Sequence, residues 1–505
     1  MDMNTVTRTL QGKELDDYFE KQIVFLKEKF VEFLSQFDAS DLFHKWREMI
    51  RHIDELYNIS CLLSFEERLL LESCSIEICK DQQFGKVVGI IGDRYGKDVK
   101  CRFIKTCIML SALNYAYVRT GQSNNIVRTL GEAIDRCQEM RLYYVTMLLF
   151  VPQFAKGNRK IEFLDLLNFF QPQIDICLVN IRTAYNALVI NNCIDDYKAE
   201  PQTFGFSFNY EYNHLEQESL EPERLSVVDV LKSMTKEEKE ALPSCRVYQL
   251  CGYEELMDGI KLTTAVYDKY GLNEFEEYRQ MVGLAFDLKP FLRDNYAFIV
   301  PQDDFRNLKE KYPLLDLTCN STDFDDMLNA RPAFFRYEEV SYSTVLFYQR
   351  YMENREQRLL EKKKKFQVDS GFAFEREITE MLSALGFSVQ KSTKRIRRKE
   401  FDVVAIKDGC IYNFQCKNNF ITISQQGDDW LRLTGSEIKR LNRYYEYALK
   451  KEDGRDYLLK EKLGIDTVKS YVLSRFPIIT RNPRVINYNE LNHFQFSMGK
   501  NKSNG

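Results

Sequence analysis

Histidine and tryptophan are scarce: four histidines (His44, His52, His214 and His493) and two tryptophans occur in 505 residues. So few imidazoles argue against a histidine-built metal centre, and any bound metal is expected to be held by oxygen. The 13 cysteines include no CxxC pair and are odd in number. Mostly set among apolar residues, as in Cys107-Ile108-Met109-Leu110, they read as reduced thiols in a core rather than disulfides or zinc ligands. No apolar run approaches the roughly 20 residues of a membrane-spanning helix. The acidic opening, MDMNTVTRTLQGKELDD, lacks the basic and apolar regions of a signal peptide. A cytoplasmic protein with no membrane partner is expected. A phosphate loop is also missing: Gly92 and Gly96 are too close, and Asp98 stands where Ser or Thr is required. ATP hydrolysis therefore has no support.

What is present is a folded chain, 44% hydrophobic and 29% charged, long enough for about three domains. From residue 14 to 195 apolar residues recur at three- and four-residue spacing, as in Phe19, Ile23, Leu26, Phe30, Phe33, Leu34 and Phe37. That is the stripe of helices packed in a core. Around 200 to 214 the period becomes two, with Phe204, Phe206, Phe208, Tyr210 and Tyr212, which reads as a strand or extended arm. Packing of one strand face is the plain explanation for these rings, and stacking on bases the alternative. A polar linker over 216 to 223 leads to Thr235-Lys236-Glu237-Glu238, a capping box that opens further helices. The expected units are a helical domain over 1–200, a second mostly helical region with linker over 201–365, and a third domain over 366–505.

The third unit carries the chemistry. A helix beginning near Gly371 presents Phe374, Ile378, Met381, Leu382 and Leu385 on one face, with Glu375 and Glu377 in its first turns. After it, EFDVVAIKDGCIYNFQCK reads as two strands joined at Asp408-Gly409, a type I′ hairpin signal. That turn pairs Lys407 with Cys410, and counting outward sets Asp402 opposite Gln415 and Glu400 opposite Lys417. These four then share one face, leaving Phe401, Val403, Ala405, Tyr412, Phe414 and Cys416 for a core. A carboxylate, an acceptor oxygen and a lysine gathered at one hairpin end are what phosphodiester cleavage with a hard divalent cation requires. An ordinary amphipathic hairpin with a Glu400–Lys417 ion pair would show the same pattern.

The order of parts resembles the PD-(D/E)xK nucleases: a glutamate-bearing helix, Asp on the first strand, and an acceptor-x-Lys on the second. The phrases Phe374-Glu375, Leu385-Gly386-Phe387 and Phe401-Asp402-Val403-Val404-Ala405 carry the likeness, and Gln415-Cys416-Lys417 is most similar to the Mrr-type restriction endonucleases. The likeness covers about 366 to 480. Together with the length and the helical pattern of the earlier segments, it points to a multidomain protein, largely α-helical at its N-terminal side, and itself implies a closing α/β restriction-endonuclease-like domain with a mixed central β-sheet. It also implies a Mg2+- or Mn2+-dependent deoxyribonuclease. Asp402 would bind the metal, Gln415 and the Cys416 carbonyl would complete the site, Lys417 would serve catalysis, and Glu375 would reach in from the helix. Glu377 and Glu400 are candidates for the same place.

From Phe366 onward there are 24 Lys and Arg against 17 Asp and Glu, so the rest of the chain carries a net charge of −11. DNA is the natural partner of the positive end. The basic stretch Lys391, Lys394, Arg395, Arg397, Arg398 and Lys399 runs into the first strand and could neutralise phosphates beside the site. Cleavage of one strand per site would suit a homo-oligomer. The helical region would serve recognition, sensing or assembly with a protein partner, as in a prokaryotic defence or restriction system. The rival expectations are a nucleic-acid-binding protein with a nuclease fold that does not cut, and a helical interaction scaffold.

Overall fold

The computed structural model describes residues 8–78, 81–202, 205–210, 223–245, 250, 252–419 and 429–493. Phe204, Tyr212 and the linker residues 216 to 222 lie outside them. No helix among the described residues is long and apolar enough to cross a membrane.

The apolar stripe of the first segment becomes helix α1 (Gly12–Ser35), which buries Phe19, Ile23, Leu26, Phe30 and Leu34. Helices α2 (Ala39–Leu62), α3 (Lys97–Arg119), α4 (Leu130–Phe154) and α5 (Asn180–Cys193) complete its main layers, with α1 against α5 and α2 against α4. Trp46 is fully buried and donates through its indole N–H to the Tyr144 carbonyl at 2.7 Å. The aromatic alternation ends up in a small antiparallel sheet, β1 (Leu10–Gln11), β2 (Lys198–Pro201) and β3 (Phe206–Phe208). Phe206 packs edge-on against Tyr18 at 5.2 Å, and Phe208 stacks on Tyr197 at 5.8 Å. These rings therefore face the core.

The middle region opens with the expected capping box, Thr235 accepting from the Glu238 N–H. Helices α6 (Tyr253–Tyr267), α7 (Glu276–Asp287) and α8 (Val345–Leu360) form its framework. Between them lies a four-stranded antiparallel sheet, β4 (Leu292–Arg293), β5 (Ala297–Pro301), β6 (Phe335–Tyr337) and β7 (Val340–Thr344). That sheet leaves little periodic trace in the sequence, because its strands are two to five residues long and helices separate its two hairpins. Phe335, Tyr342 and Phe347 pack into the core of the first helices, and the Tyr296 hydroxyl donates to Asp54 at 3.3 Å. The first two regions thus share apolar surface.

Helix α9 (Lys364–Ala384) belongs to two cores: Phe366 and Ala373 pack in the middle region, while Phe374, Ile378 and Leu382 pack on the last sheet. That sheet is mixed, in the order β14-β13-β12-β11-β8. Its strands are β8 (Ser388–Val389), β11 (Val403–Lys407), β12 (Cys410–Lys417), β13 (Val468–Ser474) and β14 (Val485–Asn487). A separate hairpin of β9 (Arg395–Ile396) and β10 (Lys399–Glu400) precedes β11. Strands β11 and β12 are antiparallel, whereas β12, β13 and β14 run parallel. Helix α9 covers one face; α10 (Trp430–Asp453) and α11 (Asp456–Leu463) cover the other.

Helix α10 also crosses α5, where Trp430 meets Tyr185 edge-on at 5.4 Å. Gly435 permits this approach, because a Cβ there would lie 2.4 Å from the Asn192 side-chain nitrogen. In the lysine run at 362 to 365, Lys362, Lys364 and Lys365 are exposed and Lys363 is half-buried. Lys363 pairs with Glu274 and lies 4.9 Å from the Phe275 ring, and Lys365 donates to the Lys269 carbonyl.

Candidate active site

The β11–β12 turn has the geometry its residues demand. Asp408 and Gly409 both have positive φ, 50° and 70°, as a type I′ turn requires, and Lys407 pairs with Cys410. The ladder runs outward to Val403 and Phe414 and then opens. Asp402 lies just beyond it, half-buried, and accepts a hydrogen bond from the Cys416 N–H at 2.9 Å. Asp402 and the Gln415-Cys416-Lys417 run are thereby joined at one end of the hairpin.

The opening of the ladder corrects three details of the expected register. Asp402 is not paired with Gln415; its carboxylate takes the Cys416 N–H instead. Glu400 does not face Lys417; it pairs with Arg395 in the β9–β10 hairpin. Phe401 does not share the face of Val403 but packs with Val404, Ile411, Leu458 and Leu459, under the Arg455 guanidinium at 4.7 Å. The chain kinks between the two hairpins, so strict alternation fails there. Val403, Ala405, Tyr412, Phe414 and Cys416 do face the α9 side as expected.

Gln415 is buried, and its side-chain oxygen accepts from Lys417 Nζ at 3.4 Å. The Lys417 ammonium also lies 5.6 Å from the Tyr444 ring of α10. Burial pushes the Asp402 carboxyl above its ordinary value, while Lys417, the Cys416 N–H and Gln415 pull it back. From α9, Glu375 extends toward the same end with its carboxylate 3.6 Å from Lys394 Nζ. Burial, reinforced by the charge of Asp402, raises the Glu375 carboxyl to about 7, against the pull of Lys394. A half-buried acid whose ionisation is opposed by the charge of Asp402 is a setting that a cation would relieve.

Among the three glutamates left open by sequence, Glu375 is thus coupled to Asp402. Glu377 is engaged elsewhere, accepting from the Tyr488 hydroxyl and lying 3.9 Å from Arg475. Glu400 is exposed on β10. The Cys416 thiol faces the α9 side and is pushed well up by burial, while its N–H holds Asp402.

The basic stretch forms the β9–β10 hairpin and the turn of helix before it. Lys391, Lys394, Arg395, Arg397, Arg398 and Lys399 are all exposed. At its tip Arg397 and Arg398 have φ of 46° and 66°, the left-handed region that arginine rarely occupies. Arg397 pairs with Glu461 of α11, and Lys394 with Glu375. The stretch therefore borders the site through Lys394.

Several supporting residues gave no signal in the sequence. The Arg475 N–H donates to the Lys417 carbonyl at 2.8 Å, and Asn418 donates to Ser370 of α9 at 2.6 Å, anchoring the strand end. Beneath Asp402, the fully buried Glu452 accepts from Asn413 and from Arg455, each at 2.9 Å, and adds a negative charge felt by Asp402. Tyr444 and Tyr447, 47% and 69% exposed, stand on α10 among Lys439, Arg440 and Arg443 and extend the basic surface past Lys417.

No protein-family model, no curated protein and no solved structure matches this chain. The residues themselves must carry the assignment.

Among the described residues no three His, Cys, Asp or Glu side chains gather closely enough to hold a metal ion by themselves. The candidate donors are two carboxylates, Asp402 and Glu375, the Gln415 amide oxygen and the Cys416 carbonyl. All are hard oxygens suited to Mg2+ or Mn2+ and unsuited to softer metals. A set of this size would leave coordination positions to water or phosphate oxygens.

Proposed function

We propose that the chain is a divalent-metal-dependent deoxyribonuclease whose 366–505 region is a restriction-endonuclease-like domain of the Mrr-type, glutamine-bearing kind. The observation that carries this reading is the Cys416 N–H bond to Asp402. It draws Asp402, Gln415 and Lys417 to one end of a rigid hairpin, with the Glu375 carboxyl coupled to Asp402 from the neighbouring helix.

Each residue then has a task set by its chemistry. Asp402 holds negative charge on an oxygen fixed by a backbone donor, and Gln415 adds a neutral acceptor oxygen beside it. A bound Mg2+ or Mn2+ would supply charge neutralisation at the scissile phosphate and a more acidic water. Lys417 places a positive charge at the strand end, where it offsets charge developing on the phosphate. Glu375, with its carboxyl near 7, can accept a proton from water at neutral pH. The exposed arginines and lysines of the β9–β10 hairpin, with those of α10, bind flanking phosphates without reading sequence.

Incubation of the purified full-length chain with supercoiled plasmid tests this directly. Nicked or linear DNA should appear with Mg2+ or Mn2+, disappear with EDTA, and be absent from an Asp402→Ala preparation. DNA retarded in a gel yet never cut under any divalent metal would favour a non-cleaving binding protein instead. Neither retardation nor cleavage would leave a helical scaffold.

A further inference from the structure

We infer that the cavity between the N-terminal helices and the middle region is a binding site for a nucleotide, that is, a nucleoside carrying a phosphate chain. This cavity, of about 830 Å³, is bounded by α4, by α8 and by the 316–332 segment. It lies outside the cleavage site described above, and its assignment does not depend on that reading.

Three features of its wall converge on such a ligand. The first is unpaired positive charge. Arg350 and Arg358 line the cavity, eight residues apart on α8 and hence on one face of it, and neither has a hydrogen bond or ion pair among the described residues. From the opposite side Arg141 also reaches the wall, with its charge already matched by Asp54 at 3.0 Å. Guanidinium groups left unmatched in a concave place fit the fork geometry of phosphate oxygens.

The second feature is an aromatic ring beside that charge. Tyr57, half-buried, lines the same cavity, while Phe347 lies behind the wall in the core with the Arg141 guanidinium 5.7 Å over its ring. A base packed against Tyr57 would gain a contact that a bare phosphate cannot. The third is size. A volume of this order lies within the range of small-molecule sites and far exceeds what an inorganic phosphate fills. Asn354, between the two arginines on α8, adds an amide that can bond a sugar hydroxyl or a base edge.

Isothermal titration of the full-length chain in EDTA tests the inference, since without divalent metal the cleavage site is silent. The probes are ATP, GTP, CTP and UTP, each alone, with tripolyphosphate and adenosine as separating controls. At least one triphosphate should bind with a Kd of about 100 μM or lower, and tripolyphosphate and adenosine each at least about tenfold more weakly. Arg350→Ala/Arg358→Ala should weaken that binding by about tenfold or more, and the single exposed change Arg358→Glu should do so even if the double variant fails to fold. The inference is overturned if no triphosphate binds below about 1 mM, if tripolyphosphate binds as well as the nucleotides, or if Arg358→Glu leaves the affinity unchanged.

Discussion

The Cys416 N–H donates to the Asp402 carboxylate across 2.9 Å, at the point where the β11–β12 ladder has already opened. One hydrogen bond thus replaces the ladder and holds an acid where charge is costly. Removing the acid should free phosphates to approach. Asp402→Ala is expected to abolish cleavage and to leave DNA binding equal or stronger, because a metal ligand and a repulsive charge leave together. Gel-shift affinity and plasmid nicking on the same preparation decide it; retained Mg2+-dependent nicking would remove Asp402 from the chemistry.

Lys417 separates the catalytic arrangement from a mere structural pair. Glu400 sits opposite Arg395 in the β9–β10 hairpin, and among the described residues Lys417 makes no ion pair with it; its ammonium lies on the Gln415 oxygen instead. Lys417→Ala should slow single-turnover cleavage by about two orders of magnitude or more. Its stability should change by about 0 to 1 kcal/mol, and Glu400→Gln should leave the cleavage rate alone. Gln415→Glu keeps the acceptor oxygen and adds charge, so the same rate should be reached at lower Mg2+. A magnesium titration with all three variants and their melting temperatures checks the set. A wild-type rate in Lys417→Ala would end the assignment.

The β9–β10 hairpin should act through charge alone. Replacing Arg395, Arg397 and Arg398 by alanine is expected to weaken binding to unrelated duplexes equally and to lower the salt slope by about 0.9 per lost phosphate contact. Fluorescence anisotropy across a salt series with two unrelated sequences measures both. Loss confined to one sequence would mean base readout by these side chains.

What the sequence disclosed of this site was its local part. The Asp408-Gly409 turn fixes the register of five residue pairs because a two-residue loop leaves the strands no other choice. The stripe of Phe374, Ile378 and Leu382 marks the face of α9 because helical period is local too. Choosing Glu375 over Glu377 needed Tyr488 and Arg475, more than 90 residues away, which claim Glu377. The parallel partner β13, which sets Arg475 beside Lys417, is equally remote and leaves no periodic trace near β12. Phe401 was misplaced because a kink between two hairpins breaks the two-residue period, and only the waiting pocket of Leu458 and Leu459 shows where its ring goes.

A last expectation concerns stability and lies away from the cleavage chemistry. Glu356 of α8 is 4% exposed, and burial, with the charges of Glu353 and Glu223 added, raises its carboxyl from the ordinary 4.5 to about 8. Between those two values the folded chain keeps a proton that the unfolded chain has released. The folded state binds more protons there, so stability falls as pH rises through this window and levels off above it. Glu356→Gln supplies a neutral side chain of the same shape at every pH. Relative to wild type it should melt at nearly the same temperature at pH 5, and a few degrees higher at pH 9, since each pH unit crossed inside the window removes about 1.4 kcal/mol at most. The quantity to follow is the difference between the two melting temperatures, because other acids, Glu375 among them, titrate in both proteins alike. A difference that stays flat from pH 5 to 9 would mean that Glu356 ionises in the fold as it does in water.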